Sequence, residues 1–377
     1  MERRDFIRLS ALAGLGLSLA PTLSCVSGHK HAAHSEEYRN LCYNLLKDWC
    51  DGMLKTQTVK PDDLSVHGSL DCPSCDHIHG RCMDAVYPFM YMADKTGDKK
   101  YMEAAILVME WAENNVSQED GSWTVIPNPK SWRGISVFGA IALAEALKYH
   151  GHILDNDLRQ QWLTRLGRVA DYLYNTFTIS FTNINYGATA VYGLNLIGHL
   201  LEEQKYLDKS HELAAGAKNY FTKNEGLLFG ECKKSSDKLS EKGLHGVDLG
   251  YNVEESLNSL VMYALHENDE EFLEILQKSL NSHLEFMLPD GAWDNSWGTR
   301  QYKWSYWGSR TCDGSQPAFA MMAKYNGAYA TAAIKNTELL QRCTADGLLH
   351  GGPHFVSHGV PACVHHTFAH AKPLALY

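Results

Sequence analysis

Three acidic side chains stand where they could carry acid–base chemistry on a glycosidic bond: Asp84, Glu254 and Asp294. Each lies in a segment that leads into a predicted helix, or in the first turn of one. Glycoside hydrolysis needs one carboxylic acid that protonates the leaving oxygen and a second carboxylate that attacks carbon or activates water. These residues are candidates for the acid, base or nucleophile. The alternative for each is a capping or surface role, in which Asp84 and Glu254 complement the dipoles of helix N-termini.

A second chemistry draws on other residues of the same segments. Removal of the proton beside the carboxylate of a uronic acid requires a base, an acid for the leaving oxygen and a group that neutralises the carboxylate. His245 and Tyr306 have suitable side chains for the proton transfers, and Asn185 and Arg300 for the neutralisation. The alternative for Tyr306 is packing of its ring with the hydroxyl at the surface.

The same segments concentrate groups that bind sugars and carboxylates. Guanidinium groups form paired hydrogen bonds with carboxylates, and aromatic rings pack against sugar faces. The candidates for substrate binding are Arg81, Trp132, Arg133, Asn185, Glu255, Arg300, Tyr302, Trp304, Arg310, His365 and His366. Arginines that only pair with nearby aspartates, and tryptophans that only pack beneath the segments, would leave the same pattern.

A cluster of cysteines and histidines precedes one predicted helix. It comprises Cys72, Cys75, His77, His79 and Cys82, which are ligand types that suit zinc. The histidine spacing differs from that of a zinc finger, and in an exported chain Cys72 and Cys75 can form a disulfide or remain buried thiols. We therefore expect no metal and no cofactor, with zinc at this cluster as the alternative.

Charge and the N-terminal segment restrict the partners and the compartment. The 377-residue chain has a formal net charge of -10 without blocks of like charge, which disfavours nucleic acid and anionic membranes as partners. Residues 1–25 combine Arg3 and Arg4 with an apolar run, which is typical of a twin-arginine export signal, and residues 26–35 form a linker. We expect a periplasmic protein, and the sequence leaves open a lipid anchor at Cys25 and a homodimer.

Helices must position these candidate residues, because apolar residues after Ser35 recur at spacings of three and four. An acidic residue and a glycine mark predicted helix ends at a spacing of roughly 50 to 70 residues, which is typical of helical hairpins, and one unit lacks the mark. The marks are Asp51-Gly52, Asp120-Gly121, Glu225-Gly226, Asp290-Gly291 and Asp346-Gly347.

Six hairpins predict an all-α fold, an (α/α)6 toroid of six inner and six outer helices that forms a single domain over residues 36–377. A closed ring buries the apolar faces that each hairpin alone leaves exposed, whereas the alternative, an open solenoid, needs polar end caps. The long segments that follow the outer helices would gather at one rim. The candidate residues then converge on one mouth, which predicts a concave polar and aromatic site.

Two segments carry a resemblance to known enzymes: "CDHIHGRCMDAVYP" and "DNSWGTRQYKWSYWGSRTCDG". Over Glu36 to Tyr377 the chain resembles the (α/α)-toroid carbohydrate-active enzymes of Bacteroidetes, and these segments look most like the β-glucuronidases of glycoside hydrolase family 154. The resemblance implies exo-action on terminal glucuronate of plant polysaccharides. Toroid polysaccharide lyases acting on alginate or glucuronan are also similar, although many carry Asn-Asn-His where this chain has "TNINYG".

These observations predict an exported enzyme that hydrolyses a terminal glucuronate from an acidic polysaccharide or oligosaccharide. The first alternative is a polysaccharide lyase that cleaves a uronate glycan by β-elimination. The second alternative is an unsaturated glucuronyl hydrolase, which shares the toroid, or a glycan-binding lipoprotein without catalysis.

Overall fold

The computed structural model describes residues 36–229, 247–294 and 315–376. Its α-helices are α1 (Glu36–Thr56), α2 (Val86–Thr96), α3 (Lys99–Asn115), α4 (Ser136–His150), α5 (Asn156–Thr176), α6 (Ile184–Leu201), α7 (Gln204–Ala217), α8 (Leu249–Tyr251), α9 (Leu257–Glu267), α10 (Glu270–Leu284), α11 (Ala318–Met321), α12 (Gly327–Arg342), α13 (Phe355–His358) and α14 (Val364–Leu374). Three 3₁₀ helices span Gly80–Ala85, Gly151–Ile153 and Lys218–Tyr220, and a π-helix, Asn252–Ser256, joins α8 to α9. The strands β1 (Thr344–Ala345) and β2 (Leu348–Leu349) pair antiparallel.

Within the described residues, twelve of the α-helices form two layers. The inner layer contains α2, α4, α6, α9, α11 and α14, and the outer layer contains α1, α3, α5, α7, α10 and α12. Helix α4 is buried along almost its whole length, whereas α5 has an exposed polar face, as expected for an inner and an outer helix. Each inner helix through α11 contacts the outer helix that follows it in sequence. This arrangement confirms the predicted toroid of six hairpins.

Contacts between the two ends of the described chain close the ring. Helix α14 packs against α1 and α2, so the last inner helix pairs with the first outer helix. Beside this pair, the turn between β1 and β2 lies against α1. Gly347 in that turn has a φ angle of 77°, and a Cβ atom on it would lie 2.7 Å from the carbonyl oxygen of Asp48.

At most of the predicted marks, the acidic residue and the glycine lie in a tight turn, and a short β-bridge closes this turn. Bridges join Ser117 to Trp123, Phe221 to Leu228 and Met287 to Trp293, and β1 pairs with β2 around Asp346-Gly347. The prediction for Asp51-Gly52 is wrong, because both residues lie inside α1. Gly52 is there for a different physical reason: its backbone contacts Gly347, and a Cβ atom on Gly52 would lie 1.9 Å from the Gly347 carbonyl oxygen.

The starts of four outer helices are fixed by side-chain caps, which satisfy otherwise unbonded N–H groups of the first helical turn. The capping residues are Asp98 for α3, Asp155 for α5, Asp269 for α10 and Asn326 for α12. None of the helices in the described part of the chain combines the length and apolar character that crossing a bilayer requires.

Candidate active site

A cavity lies between the inner helices, and its empty volume is about 550 Å³ including the solvent at its opening. All six inner helices or the turns directly before them contribute to its wall. The contributing residues include Arg81 before α2, Glu145 on α4, Tyr192 on α6, Glu254 and Glu255 before α9, Pro317 before α11, and Lys372 on α14. The cavity is therefore at the centre of the toroid.

Arg81 connects two acidic residues at the wall of this cavity. Its Nε and Nη2 atoms donate to Asp84 Oδ2 at 3.1 and 2.8 Å, and its Nη1 atom donates to Glu255 Oε1 at 3.2 Å. The guanidinium carbon also lies 3.9 Å from the centre of the Phe138 ring, a favourable cation–π geometry. These contacts fix the guanidinium group, whose side chain keeps 11% of its surface exposed.

Asp84 lies beneath Arg81 and has no exposed side-chain surface. Its second oxygen, Oδ1, is 3.7 Å from Lys372 Nζ, so the carboxylate is held between two cations. A side chain without exposed surface has no contact with a substrate in the cavity. Asp84 therefore positions Arg81 and Lys372 in this arrangement.

Glu255 is held from a second side by Asn185, whose Nδ2 atom donates to Glu255 Oε2 at 3.4 Å. Burial raises the pKa of the Glu255 carboxyl to about 7, against the lowering influence of the Arg81 charge. A carboxyl group with this pKa is partly protonated near neutral pH. Glu255 can then donate a hydrogen bond to an anion, which an ordinary glutamate cannot do at that pH.

Glu254 lies beside Glu255 in the π-helix and also lines the cavity. Its Oε1 atom is 3.9 Å from Nε2 of His370 on α14. π-helical turns inside longer helices are frequent at functional sites, and here the turn presents two consecutive carboxyl groups to one cavity.

Glu145 and Tyr192 also line the cavity. The Tyr192 hydroxyl donates to Glu145 Oε1 at 3.2 Å, and burial raises the pKa of Glu145 to about 7. Among the described residues, Arg81 and Lys372 are the cations at this cavity, against the carboxyl groups of Asp84, Glu145, Glu254 and Glu255. Partial protonation of Glu145 and Glu255 reduces the excess of negative charge.

Other candidate residues lie away from the Arg81 network. Arg133 donates to Asp120 Oδ2 at 2.6 Å and to the Pro129 carbonyl oxygen, so it stabilises a turn. The Trp132 ring, 41% exposed, stacks on Phe181 and donates through Nε1 to the Tyr186 hydroxyl.

Asp294 follows the Met287–Trp293 bridge, and its N–H donates to the Phe286 carbonyl oxygen. His365 and His366 lie in the first turn of α14, and the His365 ring stacks on that of His79. The candidates His245, Arg300, Tyr302, Trp304, Tyr306 and Arg310 lie outside the described residues.

Comparison with known proteins identifies the family. The family model described as the ulvan lyase N-terminal domain matches residues 46–377. The chain belongs to this family. A curated relative from Formosa agariphila, a broad-specificity ulvan lyase, is 66% identical over 376 residues, which cover 100% of this chain and 59% of the relative. The chain thus spans less than two thirds of the relative's length.

Solved structures share the fold at low sequence identity. A family 88 glycosyl hydrolase from Bacteroides vulgatus aligns with a TM-score of 0.61 and 13% identity over 89% of this chain and 98% of its own. A polysaccharide lyase aligns with a TM-score of 0.57 and 14% identity over 89% of this chain and 96% of its own. A D-mannose isomerase aligns with a TM-score of 0.62 and 10% identity over 95% of this chain and 99% of its own. Identities this low show the toroid fold alone.

The family match corrects the predicted reaction. Hydrolysis of a terminal glucuronate is wrong, because the family and the 66% identical relative are both named for lyases. The specific likeness to family 154 β-glucuronidases is not supported either. Of the three carboxylates predicted for hydrolysis, Glu254 lines the cavity, Asp84 is fully buried, and Asp294 is not among the described residues that line it.

Sequence reasoning missed several residues at the cavity or next to its lining, because it concentrated on the segments between helices. Glu145, Tyr192, His370 and Lys372 lie on the inner helices themselves. A usable signal existed for Glu145, which is the single charged residue in the apolar run "SVFGAIALAEAL". A charge within such a run indicates either a buried partner or a functional site.

Two groups of described residues have the types and proximity that a metal ion needs. The ligand atoms of Cys72, Cys75 and Cys363 lie within 4.8 Å of one another, as do those of His199, His266 and Glu267. The first group differs from the predicted set. His79 instead caps the 3₁₀ helix by accepting the Arg81 N–H, and Cys82 is buried with its thiol directed to the Gly80 carbonyl oxygen.

Proposed function

We propose that this chain is a polysaccharide lyase that cleaves an acidic, uronate-containing polysaccharide of the ulvan type by β-elimination. The observation that carries the proposal is the match of the whole chain, at 66% identity, to a broad-specificity ulvan lyase. Because the chain covers 59% of that relative, the activity is proposed from the shared region.

β-Elimination differs from hydrolysis in its atom balance. A base removes the proton from the sugar carbon that bears the carboxylate, the bond from the neighbouring carbon to the glycosidic oxygen breaks, and a carbon–carbon double bond forms. The leaving oxygen takes up a proton, and no water is consumed. The developing negative charge spreads onto the substrate carboxylate, so groups that neutralise this carboxylate lower the barrier.

The cavity supplies groups of this kind. Arg81 is fixed by Asp84 and Phe138 with 11% of its side-chain surface exposed, and Lys372 lies on the other side of Asp84. Glu255 adds a carboxyl group that is partly protonated near neutral pH. In the proposed complex Arg81 and Glu255 bind the substrate carboxylate, with Asn185 holding Glu255 in place.

The proton transfers are proposed for His245 and Tyr306, which have the residue types that a base and an acid require. Both lie outside the described residues, so this assignment rests on the sequence. Export to the periplasm, a lipid anchor at Cys25 and a homodimer likewise remain predictions.

The proposal is tested by incubating the purified full chain with ulvan, glucuronan and alginate and with a neutral polysaccharide. Ultraviolet absorbance of unsaturated uronate and total released reducing ends are followed together. We expect both signals to rise in parallel on at least ulvan and neither on the neutral polymer. Reducing ends without absorbance would contradict elimination, and no product on any uronate polymer would contradict a catalytic role.

A further inference from the structure

Three thiols converge where the segment after α1 meets the start of α14. Cys72 and Cys75 belong to that segment, and Cys363 is the residue directly before α14. The Sγ atoms of Cys72 and Cys363 are 3.9 Å apart, and the three Sγ atoms lie within 4.8 Å of one another. The cluster is outside the central cavity, and the proposed elimination does not use it.

The sulfur separation fits ligands of a single metal ion. Zinc binds thiolates at about 2.3 Å in tetrahedral geometry, which places two sulfur ligands roughly 3.8 Å apart. Cys72 and Cys75 also have the spacing of a metal-binding turn, Cys-Pro-Ser-Cys, and the Cys75 N–H donates to the Cys72 carbonyl oxygen at 3.2 Å. The chain is thus already bent so that both thiols face Cys363.

Main-chain donors surround these sulfurs. The N–H groups of Ser74 and His365 donate to Cys72 Sγ, and the N–H of His366 donates to Cys363 Sγ. Hydrogen bonds of this kind stabilise thiolates, and so does the N-terminus of a helix. These donors would offset part of the negative charge of metal-bound sulfurs.

We propose that Cys72, Cys75 and Cys363 bind one zinc ion that joins the segment after α1 to α14. Three thiolates leave one tetrahedral position, which a water molecule or an imidazole can fill. Zinc in place of a disulfide uses all three thiols at once, whereas a disulfide between any two leaves the third without a role.

The position of the ion gives it a structural purpose. The segment ends at His79, which caps the 3₁₀ helix carrying Arg81 and Asp84, and α14 carries His370 and Lys372. Because Lys372 faces Asp84 at 3.7 Å, a link between the two elements holds both sides of this contact. The ion also ties the first and last hairpins of the ring.

The test is the metal content and the absorption spectrum of the full chain, purified without chelator. We expect about one zinc per chain, and after replacement by cobalt a thiolate-to-cobalt charge-transfer band. Cys72→Ser and Cys363→Ser should lose at least about ten-fold in zinc affinity. Cys75→His should retain zinc because imidazole is also a ligand, and Cys343→Ala, a buried thiol outside the cluster, should retain it as a control.

Melting temperature gives a second readout. A chelator should lower the melting temperature of the unmodified chain and leave that of Cys72→Ser unchanged. The cobalt spectrum requires no variant, so it decides the question even where a substitution prevents folding. Two results would overturn the proposal: absence of the charge-transfer band in the cobalt-loaded chain, and peptide mapping that finds a disulfide between any two of the three cysteines.

Discussion

Arg81 Nη1 and Glu255 Oε1 form an ion pair at 3.2 Å in the wall of the central cavity. Arg81 lies before the first inner helix and Glu255 in the π-helix that leads into the fourth. The pair brings a fixed guanidinium next to a carboxyl group whose pKa burial raises to about 7. In the proposed lyase these two groups recognise the uronate carboxylate together.

Substitution of Arg81 tests this recognition. In Arg81→Gln the buried Asp84 keeps Lys372 and loses both guanidinium bonds. Breaking a buried ion pair on one side typically costs about 3–5 kcal/mol of unfolding free energy, and we expect activity on ulvan to fall by at least about 100-fold, as for loss of an electrostatic stabiliser. Chemical denaturation and initial rates measure the two effects.

Arg133→Gln is the matched control for stability. Arg133 also pairs with an aspartate, but both side chains are more than a third exposed, and exposed pairs contribute about 0–1 kcal/mol. Equal destabilisation by both substitutions would contradict the buried network described for Arg81.

The titration of Glu255 should control substrate binding. Below pH 7 this carboxyl is largely protonated, and as pH rises through about 7 it becomes an anion beside the substrate carboxylate. We expect the KM for ulvan to rise between pH 6 and 8 in the unmodified chain. Glu255→Gln keeps the shape without the charge and should flatten this rise. An unchanged pH profile in the variant would assign the titration to another group.

Glu145 should make folding stability depend on pH. Burial raises its pKa from 4.5 to about 7, so its protonated form is favoured in the folded state. The resulting contribution to folding stability is fully present below the pKa that Glu145 has in the unfolded chain, and it is lost as the pH rises through about 7. Glu145→Gln should therefore gain stability relative to the unmodified chain with rising pH, by up to about 3 kcal/mol.

Thermal unfolding from pH 4 to pH 8 measures the Glu145 effect. The control is Glu212→Gln, because the Glu212 side chain is 64% exposed and its loss should change stability by a few tenths of a kcal/mol at every pH. A constant difference between Glu145→Gln and the unmodified chain would contradict the buried, protonated carboxyl.

Gly52 and Gly347 provide a test of ring closure. Alanine in a helix interior is normally favoured over glycine by roughly 1 kcal/mol, but a Cβ on Gly52 would lie 1.9 Å from the Gly347 carbonyl oxygen. We expect Gly52→Ala to destabilise the protein by at least about 2 kcal/mol, because overpacking of backbone cannot relax easily.

Gly167→Ala is the matched helix-interior control. The nearest atom to a Cβ at Gly167 is Leu201 Cδ1 at 4.0 Å, so the substitution should stabilise the protein by about 0.5–1 kcal/mol. Urea denaturation measures both effects. Stabilisation by both Gly52→Ala and Gly167→Ala would contradict the close contact between α1 and the turn that joins β1 to β2.

The fold was largely predictable because helical spacing and turn signals are local properties of a sequence. The toroid and its six hairpins follow from these signals. The prediction of a helix end at Asp51-Gly52 was wrong, because a glycine that ends a helix and a glycine at a close helix contact look the same in the sequence. Only the position of Gly347 in three dimensions distinguishes them.

The convergence of some candidate site residues was predictable, whereas their roles stay a prediction. Residues predicted to lie at the rim or in the first turn of an inner helix do come together in the structure. They are Arg81, Asn185, Glu254 and Glu255. Lys372 was missed since its charge lies in the last inner helix, and whether it meets Asp84 depends on how the ring closes. The reaction type was mispredicted because carboxylates in a toroid suit hydrolysis and elimination alike.

Elimination and hydrolysis differ in whether cleavage of the glycosidic bond consumes water. The chain is incubated with ulvan in water enriched in the heavy isotope of oxygen, and the new chain ends are analysed by mass spectrometry at early times. Elimination predicts products that are lighter than hydrolysis products by one water and that carry no heavy oxygen from bond cleavage. Saturated products that incorporate one heavy oxygen per cleaved bond would contradict the account.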